Sequence, residues 1–243
     1  MFEAFIIFVI IIFCAYGIMI ITPYVQWIIK SIASLFHKET EKEKHIKKIQ
    51  ERQRTEAELK GASFENQLRD MILYYFPGSK VRQNVIIRNG KVSKEIDLIA
   101  MTPKGFIVVE AKNFSYCKIE GDVHEKDWIC TYNEKKQFHM YNPIYQVNSA
   151  IWNIKKHIHS VYFDKVVVFS DNCEVAKNIL SEDCVFTKSE FEYYLQNLSE
   201  VENSPYSETF IEQIDSKLEQ LDTVSREEHI RNVEKIRKIN AEA

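Results

Sequence analysis

The hydrophobic positions in the middle of the chain change from a helical to a strand-like spacing near residue 77. Apolar side chains first recur every three or four residues, which predicts a helix on residues 64–75 that Pro77 and Gly78 end. Three short apolar runs follow, separated by turn residues, and the Asn-Gly pair between the first two predicts a hairpin. The predicted strands are Val81–Ile87, Glu95–Met101 and Phe106–Ala111.

The next part of the chain alternates predicted strands and helices. Asn142 and Pro143 are residue types favoured at a helix start, so a helix is predicted from there to about His159. The other predicted elements are strands near Cys117–Ile119, Trp128–Thr131, Lys165–Ser170 and Cys184–Thr187, and helices near Glu174–Leu180 and Ser189–Leu198. This order indicates an α/β domain with a mixed sheet. At 45% hydrophobic residues, the 243-residue chain can build one such core, which excludes a disordered tail protein.

The N-terminal segment predicts a membrane anchor. The 18 residues from Ala4 to Ile21 carry no charge, and the first lysine is Lys30. Because about 20 apolar residues cross a bilayer as a helix, residues 1–30 are expected to form a single transmembrane helix, with membrane contact through residues 4–29. A cleaved signal peptide is the alternative. It is disfavoured because no basic residue precedes the run and no small-x-small site follows it.

Lysine and arginine are concentrated after this apolar run. None precedes it, and nine occur within residues 30–60. The positive-inside rule therefore places the N-terminus outside the cell membrane and the body of the protein in the cytoplasm. The five cysteines are an odd number without a CxxC pair, which fits a reducing compartment and indicates neither a disulfide scaffold nor a zinc finger.

Charge divides the rest of the chain into segments. The formal net charge is +2 over residues 1–60, +4 over residues 61–170 and −9 over residues 171–243. Residues 31–60 are predicted to form a charged helical stalk, and residues 201–243 an acidic helical tail with two amphipathic helices. These tail helices are expected either to fold back on the body or to bind a protein partner or a second copy through residues 208–240.

Two carboxylates and a lysine carry the candidate chemistry. Asp97 and Glu110 lie in otherwise apolar predicted strands, where a carboxylate is costly unless something compensates its charge. The hairpin formed by these strands brings both acids to one end, and Lys112 shares a strand face with Glu110. Oxygen ligands of this kind suit Mg²⁺, and a lysine can stabilise charge in phosphoryl transfer. A structural ion pair between Asp97 and Lys112, or a turn cap by Asp97, is the alternative.

These residues stand in a longer pattern that covers about residues 61–170. Its parts are Gly61 and Glu65, Glu95-Ile96-Asp97, Glu110-Ala111-Lys112-Asn113, Gly121, Trp128, Asn142-Pro143 with Gln146, and the strand ending at Ser170. In this order, the parts resemble the nuclease-related domain (NERD) family of the PD-(D/E)XK nuclease superfamily. The resemblance implies a restriction-endonuclease-like mixed-sheet core with flanking helices, placed here on residues 61–200.

The resemblance also implies roles for individual residues. The metal ligands would be Glu65, Asp97, Glu110 and the carbonyl of Ala111, with Mg²⁺ as the cofactor and Mn²⁺ as its substitute. Lys112 would be the catalytic lysine, and Gln146 would face the same site from a helix. Glu65 on a solvated helix face and a Gln146 that only bonds to the backbone are the structural alternatives. Trp128 is expected in the core rather than as a platform for base stacking.

The sequence therefore predicts a membrane-anchored, cytoplasm-facing, Mg²⁺-dependent nuclease, with DNA as the expected substrate. A non-catalytic membrane tether that binds nucleic acid or a partner protein is the alternative. A third hypothesis is a scaffold assembled through the tail helices.

Overall fold

The computed structural model describes residues 48, 55–89, 92–132, 136–222 and 224–241. The chain divides into two compact units, residues 1–58 and residues 59–243. The predicted anchor and nearly all of the predicted stalk lie outside the described residues. Among the helices that are described, none is both long enough and apolar enough to cross a membrane.

The second unit is built from helices and strands. They are α1 (residues 55–75, which begins before the unit), β1 (Lys80–Asn89), β2 (Val92–Met101), β3 (Phe106–Lys112), β4 (Cys117–Glu120), β5 (Asp127–Tyr132), β6 (Lys136–Tyr141), α2 (Pro143–Lys155), β7 (Phe163–Phe169), β8 (Glu174–Val175), α3 (Lys177–Leu180), β9 (Val185–Thr187), α4 (Lys188–Glu200), α5 (Glu208–Leu221) and α6 (Arg226–Ala241).

The strands form two sheets. The larger has the order β1-β2-β3-β7-β9; β1, β2 and β3 pair antiparallel, and β3, β7 and β9 pair parallel. The smaller has the order β6-β5-β4-β8, with one parallel pair between β4 and β8. Mixed pairing of this kind confirms the predicted α/β class.

Each face of the larger sheet carries its own hydrophobic core. On one face, the buried side chains of α1 and α4 pack on alternate residues of β2, β3 and β7, such as Leu98, Ile107 and Val168. On the other face, α2, α5 and the smaller sheet form a larger core that includes Val108 and Trp128. Trp128 is fully buried, as expected, and its indole N–H donates to the carbonyl of Asp122 at 2.8 Å.

The first two strands change faces in the middle of the hairpin. Leu98 packs in the core below α1, whereas Ile96 and Val85 belong to the opposite core. The change occurs between the paired positions Gln83–Leu98 and Val85–Ile96, where Asn84 has a φ of +53°. A left-handed residue alters the alternation of side chains along a strand. Asp97, which the register places across from Asn84, lies at this point of change.

The acidic tail folds back on the hairpin. Ile211, Ile214 and Leu218 of α5 are buried in the larger core. At the junction of α5 and α6, Asp222 accepts a hydrogen bond from the Ile86 N–H at 2.9 Å and forms a backbone bridge with Ile87. The apolar stripe of α5 is therefore used inside the protein. The predicted protein partner or self-association of residues 208–240 stays a prediction.

We predict that truncating the α5 contact destabilises the whole second unit. Leu218 is fully buried, so Leu218→Ala should lower the free energy of unfolding by about 3 kcal/mol through lost burial and a residual cavity. Leu59→Ala, on a side chain that is 66% exposed, is the matched control and should change it by less than about 0.5 kcal/mol. Urea unfolding monitored by circular dichroism measures both. Equal stability of the two variants would show that α5 is not part of the cooperative unit.

Three elements differ from the sequence prediction. Strand β6 was not predicted, because it is short and half of its residues are polar, yet it pairs along its length with β5. The helix predicted to reach about His159 ends at Lys155. The helix predicted near Glu174–Leu180 is instead β8 followed by the single turn of α3, since Val175 pairs with Ile119 in the smaller sheet. Long-range pairing determines the structure at this position.

Candidate active site

The β2–β3 pairing brings Asp97 to the end of β3. Leu98 pairs with Val109, so the antiparallel register places Asp97 across from Glu110. The Asp97 side chain does not cap the turn; its Oδ2 accepts a hydrogen bond from the backbone N–H of Ala111 at 2.7 Å. Asp97 is thus held at the position where β3 changes from apolar to charged residues.

Glu110 and Lys112 form an ion pair on one strand face. Lys112 Nζ donates to Glu110 Oε1 at 2.5 Å, and the two side chains are only 16% and 8% exposed. The alternation in β3 places both on the same side as Phe106 and Val108, which is the face covered by α2. The ion pair considered from the sequence, Asp97 with Lys112, is therefore replaced by Glu110 with Lys112.

Burial and the nearby negative charge of Glu110 disfavour the ionised form of the Asp97 carboxyl. Burial raises the pKa of Asp97 to about 8, and repulsion from Glu110 adds to that increase. The ammonium of Lys112 and the N–H of Ala111 act in the opposite direction, since both stabilise the charged form of Asp97. The neutral or cation-bound form of this carboxyl is therefore favoured.

Glu65 approaches the same site from α1. Burial raises the pKa of Glu65, and the negative charges of Glu95 and Glu110 raise it further. The Asn84 side chain and the charge of Arg226 lower it. Glu65 is thus partly buried and within electrostatic reach of Glu110, rather than on a fully solvated helix face.

Gln146 lies on the first turn of α2, and the N-cap residue Asn142 fixes the position of this turn. Asn142 Oδ1 accepts from the Ile144 N–H at 2.9 Å, and its amide donates to the carbonyls of Val123 and Glu125. The half-buried Gln146 donates its backbone N–H to the Asn142 carbonyl at 3.1 Å. Since α2 covers the face that carries Glu110 and Lys112, Gln146 belongs to the right side of the sheet; its role in the site stays a prediction.

Sequence reasoning did not identify three charged or polar neighbours of the site. Lys94 lies close enough to Asp97, Glu110 and Lys112 to interact with them electrostatically. Asn84 and Arg226 both act to lower the pKa of Glu65. Of the three, only Lys94 could have been noticed from the sequence, because it precedes Asp97 by three residues. Asn84 is brought near Glu65 by its positive φ within β1, and Arg226 by the packing of α6 on β2.

Among the described residues, no group of three or more His, Cys, Asp or Glu side chains is arranged so that it could hold a metal ion. The side-chain oxygens near one another at this site are those of Asp97, Glu110 and Glu65, and the Ala111 carbonyl as a ligand stays a prediction. Hard oxygen donors of this type match Mg²⁺ and Mn²⁺, and the raised pKa values of Asp97 and Glu65 indicate a place where a cation would be stabilised. In chemical type these donors match a divalent cation, and the binding of Mg²⁺ or Mn²⁺ stays a prediction.

Replacing Asp97 by asparagine should stabilise the metal-free protein. A carboxyl with a pKa raised to about 8 in the fold favours its protonated form, so the folding stability it contributes is lost as pH rises from about 4 to about 8. In EDTA at pH 8, Asp97→Asn should therefore raise the free energy of unfolding by roughly 1–3 kcal/mol and flatten its pH dependence. Urea titrations at pH 5 and pH 8 measure this effect. Asp127→Asn, at an exposed position of β5, is the control, and a less stable Asp97→Asn at pH 8 would contradict the electrostatics of the site.

Comparison with known protein families finds a match over the segment that carries this site. Residues 60–170 match the family model of the nuclease-related domain, NERD. The match runs from α1 through β7, and it confirms the resemblance indicated by the sequence motifs. Neither the curated proteins nor the solved structures yield a match. The segment that matches the nuclease-related domain contains Glu65, Asp97, Glu110, Lys112 and Gln146.

Proposed function

We propose that this nuclease-related domain hydrolyses the phosphodiester bonds of nucleic acid, with DNA as the expected substrate. One observation carries the proposal: the buried Glu110–Lys112 pair lies beside Asp97 at the end of two adjacent strands. The family match over residues 60–170 supports the same chemistry. In a purely structural site, the burial of these charges would cost desolvation free energy and serve no chemical purpose.

The residues proposed to hold Mg²⁺, or Mn²⁺ in its place, are Glu65, Asp97, Glu110 and the Ala111 carbonyl. Such an ion supplies neutralisation of phosphate oxygens and activation of water when it is bound. The side chains contribute what the ion cannot supply. The backbone N–H of Ala111 fixes the orientation of Asp97, and Glu110 holds the ammonium of Lys112 at the strand end.

Lys112 is proposed to act directly on the reacting phosphate. Its ammonium would donate a hydrogen bond to a phosphate oxygen and stabilise the negative charge that grows as water attacks phosphorus and the P–O bond breaks. Because Glu110 already orients this ammonium, little reorganisation is needed when the substrate arrives. Gln146 is proposed to position the substrate or water from α2.

We further propose that the domain works at the cytoplasmic side of the cell membrane, tethered by residues 1–30. Support comes from the uncharged run of residues 4–21 and the lysines and arginines that follow it. Membrane fractionation with alkaline extraction tests the anchor, and protease digestion of intact cells tests the orientation. A body cleaved from outside the cell would contradict the proposed orientation.

A non-catalytic tether that binds nucleic acid or a protein is the second candidate. It predicts binding with or without metal and no cleavage. The buried carboxylates favour the nuclease, because negative charge in a binding surface repels phosphates unless a cation is present.

The test uses the purified full-length chain and labelled single- and double-stranded DNA and RNA, each with Mg²⁺, with Mn²⁺ and with EDTA. Metal-dependent cleavage of at least one substrate, absent in Asp97→Asn, is the expected result. Binding without cleavage under every condition would replace the proposal by the tether.

A further inference from the structure

A second lysine, Lys94, lies beside Lys112 and has no evident structural role. Lys94 is on β2 and pairs with Ile87 of β1. Because Ile96 packs in the core on the α2 side, the alternation along β2 directs Lys94 to that same side. This is also the face from which Glu110 and Lys112 project, so the two lysines share one face of the sheet.

The surroundings of Lys94 offer it little stabilisation within the protein. Burial lowers the pKa of its ammonium; the negative charges of Glu110 and Asp97 oppose that change, and repulsion from Lys112 adds to it. Glu110 is already engaged with Lys112 at 2.5 Å, and Asp97 with the Ala111 N–H at 2.7 Å. Within the part of the chain that the structure describes, Lys94 forms neither an ion pair nor a side-chain hydrogen bond.

A half-buried cation next to another cation costs stability unless something negative binds there. A nucleic-acid backbone entering the site brings a row of phosphates, each of which needs a positive partner. Lys112 can serve the phosphate at which the bond breaks, but a neighbouring phosphate lies beyond the reach of a single ammonium. Lys94, on the same face and next to the carboxylates, is placed to meet it.

We propose that Lys94 is a second substrate-binding residue of the site, which contacts a backbone phosphate next to the one that is cleaved. This inference rests on the proposed nuclease function. It assigns the contact to the phosphate backbone and not to a base, so Lys94 should affect all sequences alike.

The test measures binding of a labelled duplex with phosphorothioate linkages, which resist cleavage, as a function of salt and with Mg²⁺ present. Lys94→Met keeps most of the apolar stem and removes the charge. Affinity should fall about 10-fold, and the slope of log K against log[salt] should decrease in magnitude by about 0.9, the value of one phosphate contact. Lys94→Arg should restore both. Lys80→Met, at an exposed position near the start of β1, is the control and should leave the slope unchanged.

Thermal unfolding separates this role from a structural one. If Lys94 binds substrate, Lys94→Met should unfold at the same or a higher temperature than the wild type, because a half-buried charge has been removed. A lower unfolding temperature with an unchanged salt slope would overturn the inference, since Lys94 would then stabilise the carboxylates. If the wild type binds no nucleic acid, the proposed function and this inference both fail. If the wild type binds and Lys94→Met has the same slope, the inference alone fails.

Discussion

In folded protein, Lys112→Met should lower the rate of nucleic-acid cleavage by about 10²–10³-fold. That loss is typical for removal of one oriented donor that stabilises charge in a transition state. The side chain is only 16% exposed and its ammonium is held by Glu110, so the substitution removes a positioned charge and not a freely moving one. Single-turnover cleavage with saturating metal measures the rate of the chemical step.

A matched control for this substitution exists on β4. Lys118 and Glu120 are also two residues apart on a strand, and they form an ion pair at 2.6 Å. Their side chains, however, are 49% and 48% exposed and lie in the other sheet. Lys118→Met should therefore keep the wild-type rate. Equal losses in both variants would indicate a general effect of charge on substrate binding, whereas no loss in Lys112→Met would remove Lys112 from the mechanism.

Gly121→Ala should destabilise the second unit strongly, by about 2–3 kcal/mol. A Cβ atom at Gly121 would lie 2.5 Å from Cδ1 and 2.8 Å from Cγ of Trp128, which are far inside van der Waals contact. Trp128 cannot move aside easily, because it is fully buried, its indole N–H is bonded to Asp122 and its ring stacks on Phe169 with centroids 6.3 Å apart. Overpacking of a rigid core costs free energy of this size.

Gly61→Ala is the natural comparison. Gly61 lies in α1, and a Cβ there would meet no atom within 4 Å. Because alanine favours a helix over glycine by about 1 kcal/mol, this variant should be slightly more stable than the wild type. Urea unfolding of both variants provides the measurement. A Gly121→Ala protein as stable as Gly61→Ala would show that Trp128 is not packed as described.

The sequence was sufficient to predict the strands around Asp97 and Glu110 and the shared strand face of Glu110 and Lys112. A run of β-branched residues with turn signals defines the strands around Asp97 and Glu110, and the spacing of two residues places Glu110 and Lys112 on one face. These features depend on local alternation and are therefore readable from residue types alone. The same reasoning predicted that Asn142 would cap α2, which the structure confirms.

The remaining features depend on contacts between distant residues. The change of faces at Asn84 arises from a positive φ at a residue other than glycine, which the sequence does not reveal. The contact of the acidic tail with the hairpin includes His229, which hydrogen-bonds with the Ser93 hydroxyl at 2.8 Å through its Nδ1. The position of Lys94 beside Lys112 follows only once the faces of β2 are known. Each of these required the three-dimensional arrangement of the strands.

The proposed function requires the carboxylates around Lys112 to hold a divalent cation for phosphodiester hydrolysis. The most direct measurement is the single-turnover rate of DNA cleavage by the full-length chain as a function of Mg²⁺ concentration, for the wild type and Asp97→Asn. The rate in the wild type should rise with Mg²⁺ to a plateau and vanish in EDTA, and it should be lost in a folded Asp97→Asn protein. Cleavage that persists in EDTA, or that Asp97→Asn retains at the wild-type rate, would contradict the proposed function.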